Sequence, residues 1–146
     1  MNSTSIQDYA IATLGSHTAL QILKGAKDEG FKTIVVCTPK SRRVYESYGV
    51  ADRIIEIPRY EDYFLAEEEL IKENAIIIPH GSFVSYVGED RVRKEMKAMY
   101  YGSKGILQWE SNRTMEREWL KKAGLNLPRI FRNPADIDCT VIVKFH

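Results

Sequence analysis

The sequence predicts an α/β domain, Rossmann-like and built on a mainly parallel sheet, on three observations. Short apolar runs alternate with helical segments over the first half of the chain. The first of these units, Ala10 to Cys37, is a complete strand–helix–strand repeat. Glycine-containing polar turns, Gly15-Ser16-His17-Thr18 and His80-Gly81-Ser82, follow two of the apolar runs.

Ala10–Leu14 is short and mostly apolar, the pattern of a strand buried on both faces of a parallel sheet. Gly15 gives the backbone freedom of a tight strand-to-helix turn, and Ser16 or Thr18 caps the helix that follows. Ala19, Leu20, Ile22, Leu23 and Ala26 recur at helical spacing until Gly30 and Phe31 end the segment. Thr33–Cys37 is the second strand, closed by Pro39. The cations Lys40, Arg42 and Arg43 follow its carboxyl end, where they face either a ligand phosphate or solvent. A short helix over Ser41–Ser47 leads to a β-branched third strand, Arg53–Ile57. Glu61–Asn74 reads as one helix with Leu65, Leu70 and Ile71 toward the sheet and Glu67, Glu68 and Glu69 outward. Ala75–Pro79 is the fourth strand.

Beyond Ser82 the pattern loosens. Phe83–Val87 is apolar, Glu89–Met99 reads as a charged amphipathic helix, and Tyr100-Tyr101-Gly102 breaks it. Gly105–Glu110 reads as a short strand or edge with Trp109 in the core. A further helix begins near Ser111, carries Met115, Trp119, Leu120 and Ala123 on one side, and stops at Gly124. Arg113 serves either an anion or an ion pair with Glu110. Leu125–Arg129 is extended, Pro134–Asp138 a turn or short helix, and Thr140–Phe145 a strongly β run with Lys144 inside it. Such a strand needs a partner, supplied by further polypeptide or by another chain.

Bulk properties limit the function. At 146 residues, 44% hydrophobic and 28% charged, the expectation is one domain plus a fragment. A net charge of +1 gives no support for a polyanion-binding surface, so nucleic acid is not an expected partner. No apolar run approaches the roughly 20 residues that span a bilayer, and Met1–Asp8 lacks the pattern of a secretory leader. A cytoplasmic protein with no membrane partner is expected. Cys37 and Cys139 are then buried reduced thiols.

The two turns carry the main functional signal. In an open α/β sheet both lie at the carboxyl edge, where they bring two imidazoles, two hydroxyls and two sets of backbone amides together. Amides at a helix start suit a phosphate. Neither His17 nor His80 has the acidic or cysteine company of a metal site, so no metal ligand is expected. The serines lack the Gly-x-Ser-x-Gly elbow of a hydrolase nucleophile. A dinucleotide oxidoreductase is disfavoured because the Gly-x-Gly-x-x-Gly turn and its acidic ribose ligand are absent.

Lys121-Lys122-Ala123-Gly124-Leu125-Asn126-Leu127-Pro128, followed by a linker and Val141-Ile142-Val143-Lys144-Phe145, resembles the passage into the nucleotide-binding domain of ATP-grasp enzymes. Together with Ile11–Leu20, Leu23–Lys27, Ile78–Phe83 and Trp109-Glu110-Ser111, it resembles the archaeal formate-dependent synthetases of purine biosynthesis over essentially the whole chain. That resemblance implies a pre-ATP-grasp domain over residues 1–124 and the linker and first strand of an ATP-grasp domain over 125–146. It implies an ATP-dependent carbon–nitrogen ligase that formylates 5-aminoimidazole-4-carboxamide ribonucleotide through formyl phosphate.

His17 and Ser82 inherit ribonucleotide binding from the family, with Gly15, Ser16, His80 and Gly81 as neighbours inferred from geometry; Lys144 inherits an ATP contact. No catalytic residue is assigned. ATP and magnesium are the implied cofactors, with the glycine-rich loop and magnesium-holding acids expected beyond residue 146, so that the enzyme is the longer parent protein. The expected partners are the small-molecule substrates and a second copy of the chain. The alternative class is a non-catalytic nucleotide-binding or regulatory module using the same phosphate-gripping turns.

Overall fold

The structure, a computed structural model, describes residues 5–143. Five strands form one sheet: β1 (Ala10–Leu14), β2 (Lys32–Cys37), β3 (Arg53–Glu56), β4 (Ala75–Ile77) and β5 (Met99–Tyr100). Their order across the sheet is β3-β2-β1-β4-β5, and all four pairings are parallel. The α/β, parallel expectation holds. Helices α1 (Ala19–Asp28) and α2 (Pro39–Tyr48) follow the first two strands, and α3 (Glu67–Lys72), α4 (Glu89–Glu95), α5 (Ile106–Ser111) and α6 (Arg113–Lys122) come later.

Alternation along β2 shows why both sheet faces are covered. Ile34 and Val36 join Ala12, Leu14, Ile55, Tyr63, Leu70 and Phe83 in the larger core cluster. Val35 and Cys37 point the other way, into a cluster with Ala19 and Leu23 of α1, Tyr45 of α2 and Val50. Leu14, Leu23, Ile34 and Phe83 are wholly buried, each worth about 1.5–3 kcal/mol relative to exposure. Asp52 locks the β2–β3 crossover. It accepts from the Thr33 amide at 2.9 Å, the Thr33 hydroxyl at 2.9 Å and Lys27 Nζ at 2.6 Å.

Several segments differ from expectation. The predicted helix over Glu61–Asn74 is a 3-10 stretch, Tyr60–Ala66, running into the short α3. Three-residue turns bury Tyr63 and Ala66, with Leu70 following, and leave Leu65 69% and Ile71 46% exposed. The charged helix stops at Glu95, because Met96 turns extended and buried Met96 and Ala98 alternate with exposed Lys97 into β5. Gly105–Glu110, read as a strand, falls largely in helix α5, with Leu107 on its buried side and Trp109 half-buried rather than in the core. An apolar run that short does not distinguish strand from helix.

The expected apolar side of α6 is not buried among the described residues; Trp119 is 47% exposed. Thr140–Val143 forms no strand, since no neighbouring strand among the described residues offers it a ladder, and Ile142 is 86% exposed. Lys144 lies outside the described residues. Cys37 is buried as expected, whereas Cys139 is exposed on that unpaired segment.

Candidate functional site

Chain order reverses between β1 and β4. β1 feeds a crossover to β2 on one side, while β4 docks on its other side, so the crevice above their carboxyl ends is the switch point of the sheet. Gly15–Thr18 and His80–Ser82 stand at that crevice, as the sequence predicts.

Gly15 is forced by packing. A Cβ there would lie 2.6 Å from Cys37 Cβ and 3.0 Å from both Tyr45 Cε2 and Val35 Cγ2. Its amide donates to Val36 O at 2.7 Å, after which the Ser16 amide donates back to Leu14 O at 2.7 Å and the Ala19 amide to Ser16 O at 2.9 Å. His17 sits inside this turn at φ +36°, a left-handed conformation costly for a non-glycine residue, and its side chain is exposed. Thr18 occupies the cap position of α1 but makes no side-chain capping bond, contrary to the expected hydroxyl cap. Among the described residues, the amides of His17, Thr18, Leu20 and Gln21 have no hydrogen-bond acceptor. They form the positive end of a ten-residue helix at the switch point.

The second turn is tied to the first. Ser82 Oγ donates to Ser16 Oγ at 3.1 Å, and Ser82 itself is buried. His80 Nε2 lies 2.9 Å from Leu14 O, and a carbonyl only accepts, so Nε2 carries the proton. Nδ1 is then the acceptor, and it receives the Ser82 amide at 3.4 Å. The ring also meets Phe83 edge to face at 5.7 Å. Burial lowers the His80 pKa; the bond to Leu14 O opposes this and the nearby His17 adds to it. His80 is thus a neutral strap between the two strand ends, with both nitrogens engaged. Gly81 is exposed beside it.

Sequence reasoning missed Tyr60. Its hydroxyl donates to Gly15 O and meets Ser41 Oγ at 3.1 Å, while its ring packs on Tyr86 with centroids 5.0 Å apart. Tyr60 lies just past β3, so the strand-end rule that selected the other two turns also selects this one. The basic cluster after β2 turns outward: Arg42 pairs with Glu46 at 2.6 Å and Glu56 at 2.7 Å, and Lys40 and Arg43 are exposed. Arg113 pairs with Glu116 at 3.0 Å.

Beside the second turn, toward β5, lies a cavity of about 710 Å³ whose wall includes His80 and Gly81. No group of three or more His, Cys, Asp or Glu among the described residues is placed to hold a metal ion. No helix of the described residues is long and apolar enough to cross a membrane.

A family model described as "Protein of unknown function (DUF1246)" matches residues 11–131, which contain both turns. The chain belongs to this family. Curated relatives give it a more specific neighbourhood. It is 49% identical over 147 aligned residues to a 5-formaminoimidazole-4-carboxamide-1-(beta)-D-ribofuranosyl 5'-monophosphate synthetase of Methanopyrus kandleri, covering 99% of this chain and 41% of that protein. It is 50% identical to the protein of the same name from Thermococcus kodakarensis, covering 92% of this chain and 39% of the relative. The chain therefore spans about two fifths of the length of the curated relatives it matches.

Among solved structures, the IMP biosynthesis protein PurP from Thermococcus kodakaraensis superposes with a TM-score of 0.70 at 33% identity, covering 88% of this chain and 41% of that one. The biotin carboxylase domain of the Hydrogenobacter thermophilus 2-oxoglutarate carboxylase, in complex with MgADP, ADP and bicarbonate, shares the fold at a TM-score of 0.59 and 19% identity; the match covers 79% of this chain and 27% of that one. The resemblance to the archaeal synthetases read from the sequence is therefore correct: the chain corresponds to an N-terminal portion of them, on an α/β fold that the biotin carboxylase domain also carries.

Proposed function

We propose that this chain is the ribonucleotide-gripping part of an ATP- and formate-dependent ligase that formylates 5-aminoimidazole-4-carboxamide ribonucleotide. The observation that carries the reading is the joining of Ser16 to Ser82 beneath the open amides of α1, in a chain 49% identical to a synthetase of the formylated product. A 5'-phosphate suits those amides and hydroxyls, both as hydrogen-bond acceptor and as charge. His17 stands exposed at the same turn, and an imidazole there reaches the ligand from the solvent side.

In the overall reaction ATP phosphorylates formate, giving formyl phosphate and ADP. The ribonucleotide amine attacks the formyl carbon, phosphate leaves with the C–O bond pair, and the amine nitrogen loses a proton. The residues described here bind and orient the nucleophile; no protein nucleophile is needed. The nucleotide, formate and magnesium are assigned to polypeptide beyond these residues, with Lys144 as an ATP contact and the domain division falling at residues 124–125. Small-molecule substrates, a cytoplasmic setting and self-association complete the reading.

Titration calorimetry of the protein with 5-aminoimidazole-4-carboxamide ribonucleotide tests it. Saturable binding that weakens in both His17→Ala and Ser82→Ala is the expected result. No binding by the folded protein removes the reading.

A further inference from the structure

The peptide group joining Gly15 to Ser16 is held at both ends, by partners from opposite sides of the sheet. Its amide end donates to Leu14 O at 2.7 Å, the same oxygen that accepts from His80 Nε2 at 2.9 Å on the β4 side. Its carbonyl end, Gly15 O, accepts the hydroxyl of Tyr60, which stands just past β3 with β2 in between. A peptide group is planar, so a bond to either end orients both. Gly15 has no Cβ to restrict the torsion that turns this plane, and the restraint has to come from these two partners.

Tyr60 is itself fixed from two directions. A carbonyl only accepts, so the phenol proton is committed to Gly15 O, and the phenol oxygen is left facing Ser41 Oγ at 3.1 Å. Its ring packs on Tyr86 with centroids 5.0 Å apart and planes tilted by 38°. Tyr86 lies on a single π turn, Phe83–Val87, closed by the Gly88 amide on Phe83 O at 2.8 Å. That turn starts directly after Ser82, and single π turns occur frequently at functional sites. Tyr60 thus reaches the Ser16 turn with its hydroxyl and the Ser82 segment with its ring. The core does not require it: Tyr63, Ala66 and Leu70 are the buried members of that stretch, and Tyr60 packs only partly buried against their cluster.

We infer that Tyr60 is a positioning residue of the ribonucleotide grip. Through its bond to Gly15 O it sets the Gly15–Ser16 peptide, and with it the Ser16 hydroxyl and the first amides of α1, without touching the ligand. Tyr86 braces the ring in that position. The inference rests on the ribonucleotide reading above, and it brings the β3 end of the sheet into a site otherwise built from the ends of β1 and β4.

The test is a cycle of wild-type protein, Tyr60→Phe, Ser16→Ala and the double variant, titrated with 5-aminoimidazole-4-carboxamide ribonucleotide in a calorimeter. Tyr60→Phe removes one oxygen and keeps the ring, and melting curves confirm that each variant is folded. Asp52→Asn is the control for general loosening: just ahead of β3 at the amino edge of the sheet, it weakens the bonds to Lys27 and Thr33 far from the turn. The expected loss of affinity in Tyr60→Phe is about fivefold or more, the worth of one hydrogen bond. Made on Ser16→Ala, the same change is expected to cost less than about twofold, because its effect passes through Ser16. Asp52→Asn should melt earlier and still bind within about twofold of wild type. Tyr86 is 41% exposed, so Tyr86→Ala is the second probe and decides by the same comparison if Tyr60→Phe does not fold; a loss of about twofold or more that depends on Ser16 is expected.

Wild-type affinity in folded Tyr60→Phe overturns the inference and leaves the Ser16 grip standing. A full loss in both backgrounds also overturns it, since Tyr60 would then act independently of Ser16. An equal loss in Asp52→Asn does the same, because loosening of the fold would be the cause. Failure of the wild-type protein to bind the ribonucleotide at all overturns the ribonucleotide reading and this inference with it.

Discussion

The Ser82 hydroxyl donates to the Ser16 hydroxyl at 3.1 Å and so couples two turns that lie 66 residues apart in sequence. Both serines stand at the carboxyl edge of the sheet, Ser16 half-buried and Ser82 buried. Ser16→Ala and Ser82→Ala are each expected to weaken ribonucleotide binding by about fivefold or more, the worth of one hydrogen bond of roughly 1 kcal/mol. The double variant should cost less than the sum of the singles, because the two hydroxyls act together. Calorimetry on the four proteins measures the coupling, and strict additivity would show that the hydroxyls act separately.

His17 makes an opposite pair of outcomes available. At φ +36° its backbone is strained, so His17→Gly is expected to raise stability by up to about 1 kcal/mol while reducing ribonucleotide affinity. A urea melt and a binding titration on the same variant read the two effects. A stabilised protein that binds as well as wild type would remove His17 from the site.

Gly15 leaves no such freedom. Gly15→Ala places a methyl group against Cys37, Tyr45 and Val35, and is expected to cost about 1–3 kcal/mol by overpacking. The check is the denaturant midpoint. An unchanged midpoint would mean that the turn moves aside easily, which the Gly15–Val36 and Tyr60–Gly15 hydrogen bonds argue against.

Stability should fall in mild acid through His80. Burial holds its folded pKa below the ordinary 6.5, so the unfolded chain binds the proton more readily. The contribution of the neutral ring is complete above pH 6.5 and is lost as pH falls toward the depressed folded value. Denaturant melts across that window should show a slope that His80→Gln flattens. Asp52 acts further down the scale: burial tends to raise its pKa, but the bonds from Lys27 and Thr33 outweigh this and lower it. Its contribution is present above the unfolded carboxylate value and is lost below it.

The sheet was legible because β1 and β2 are buried on both faces and show it in short, mostly apolar runs, and because Gly15 and Gly81 follow strand ends. The two turns of the site were legible for the same reason. What followed Ser82 was not. β5 has two residues, too few to show a period, and α5 has six, in which Ile106 and Leu107 suit either kind of element. The roles of Tyr60 and His80 depend on contacts 45 and 66 residues away, to Gly15 O and Leu14 O, and no local pattern encodes these. The residues from Thr140 read as a strand on composition alone, and composition does not supply the neighbour a strand requires.

The placement of β4 beside β1 also sets when the crevice comes into being. β1 meets β2 after a short crossover, but it meets β4 only across a separation such as the 65 residues between Thr13 and Ile78. Contacts of that span close late, since the chain gives up loop entropy before they reward it. The half carrying β1, β2 and β3 can therefore be ordered while Ser16 still lacks Ser82, and the proposed ribonucleotide grip is complete only in chains whose β4 has docked on β1. In refolding experiments, recovery of ribonucleotide binding becomes a clock for the docking of β4.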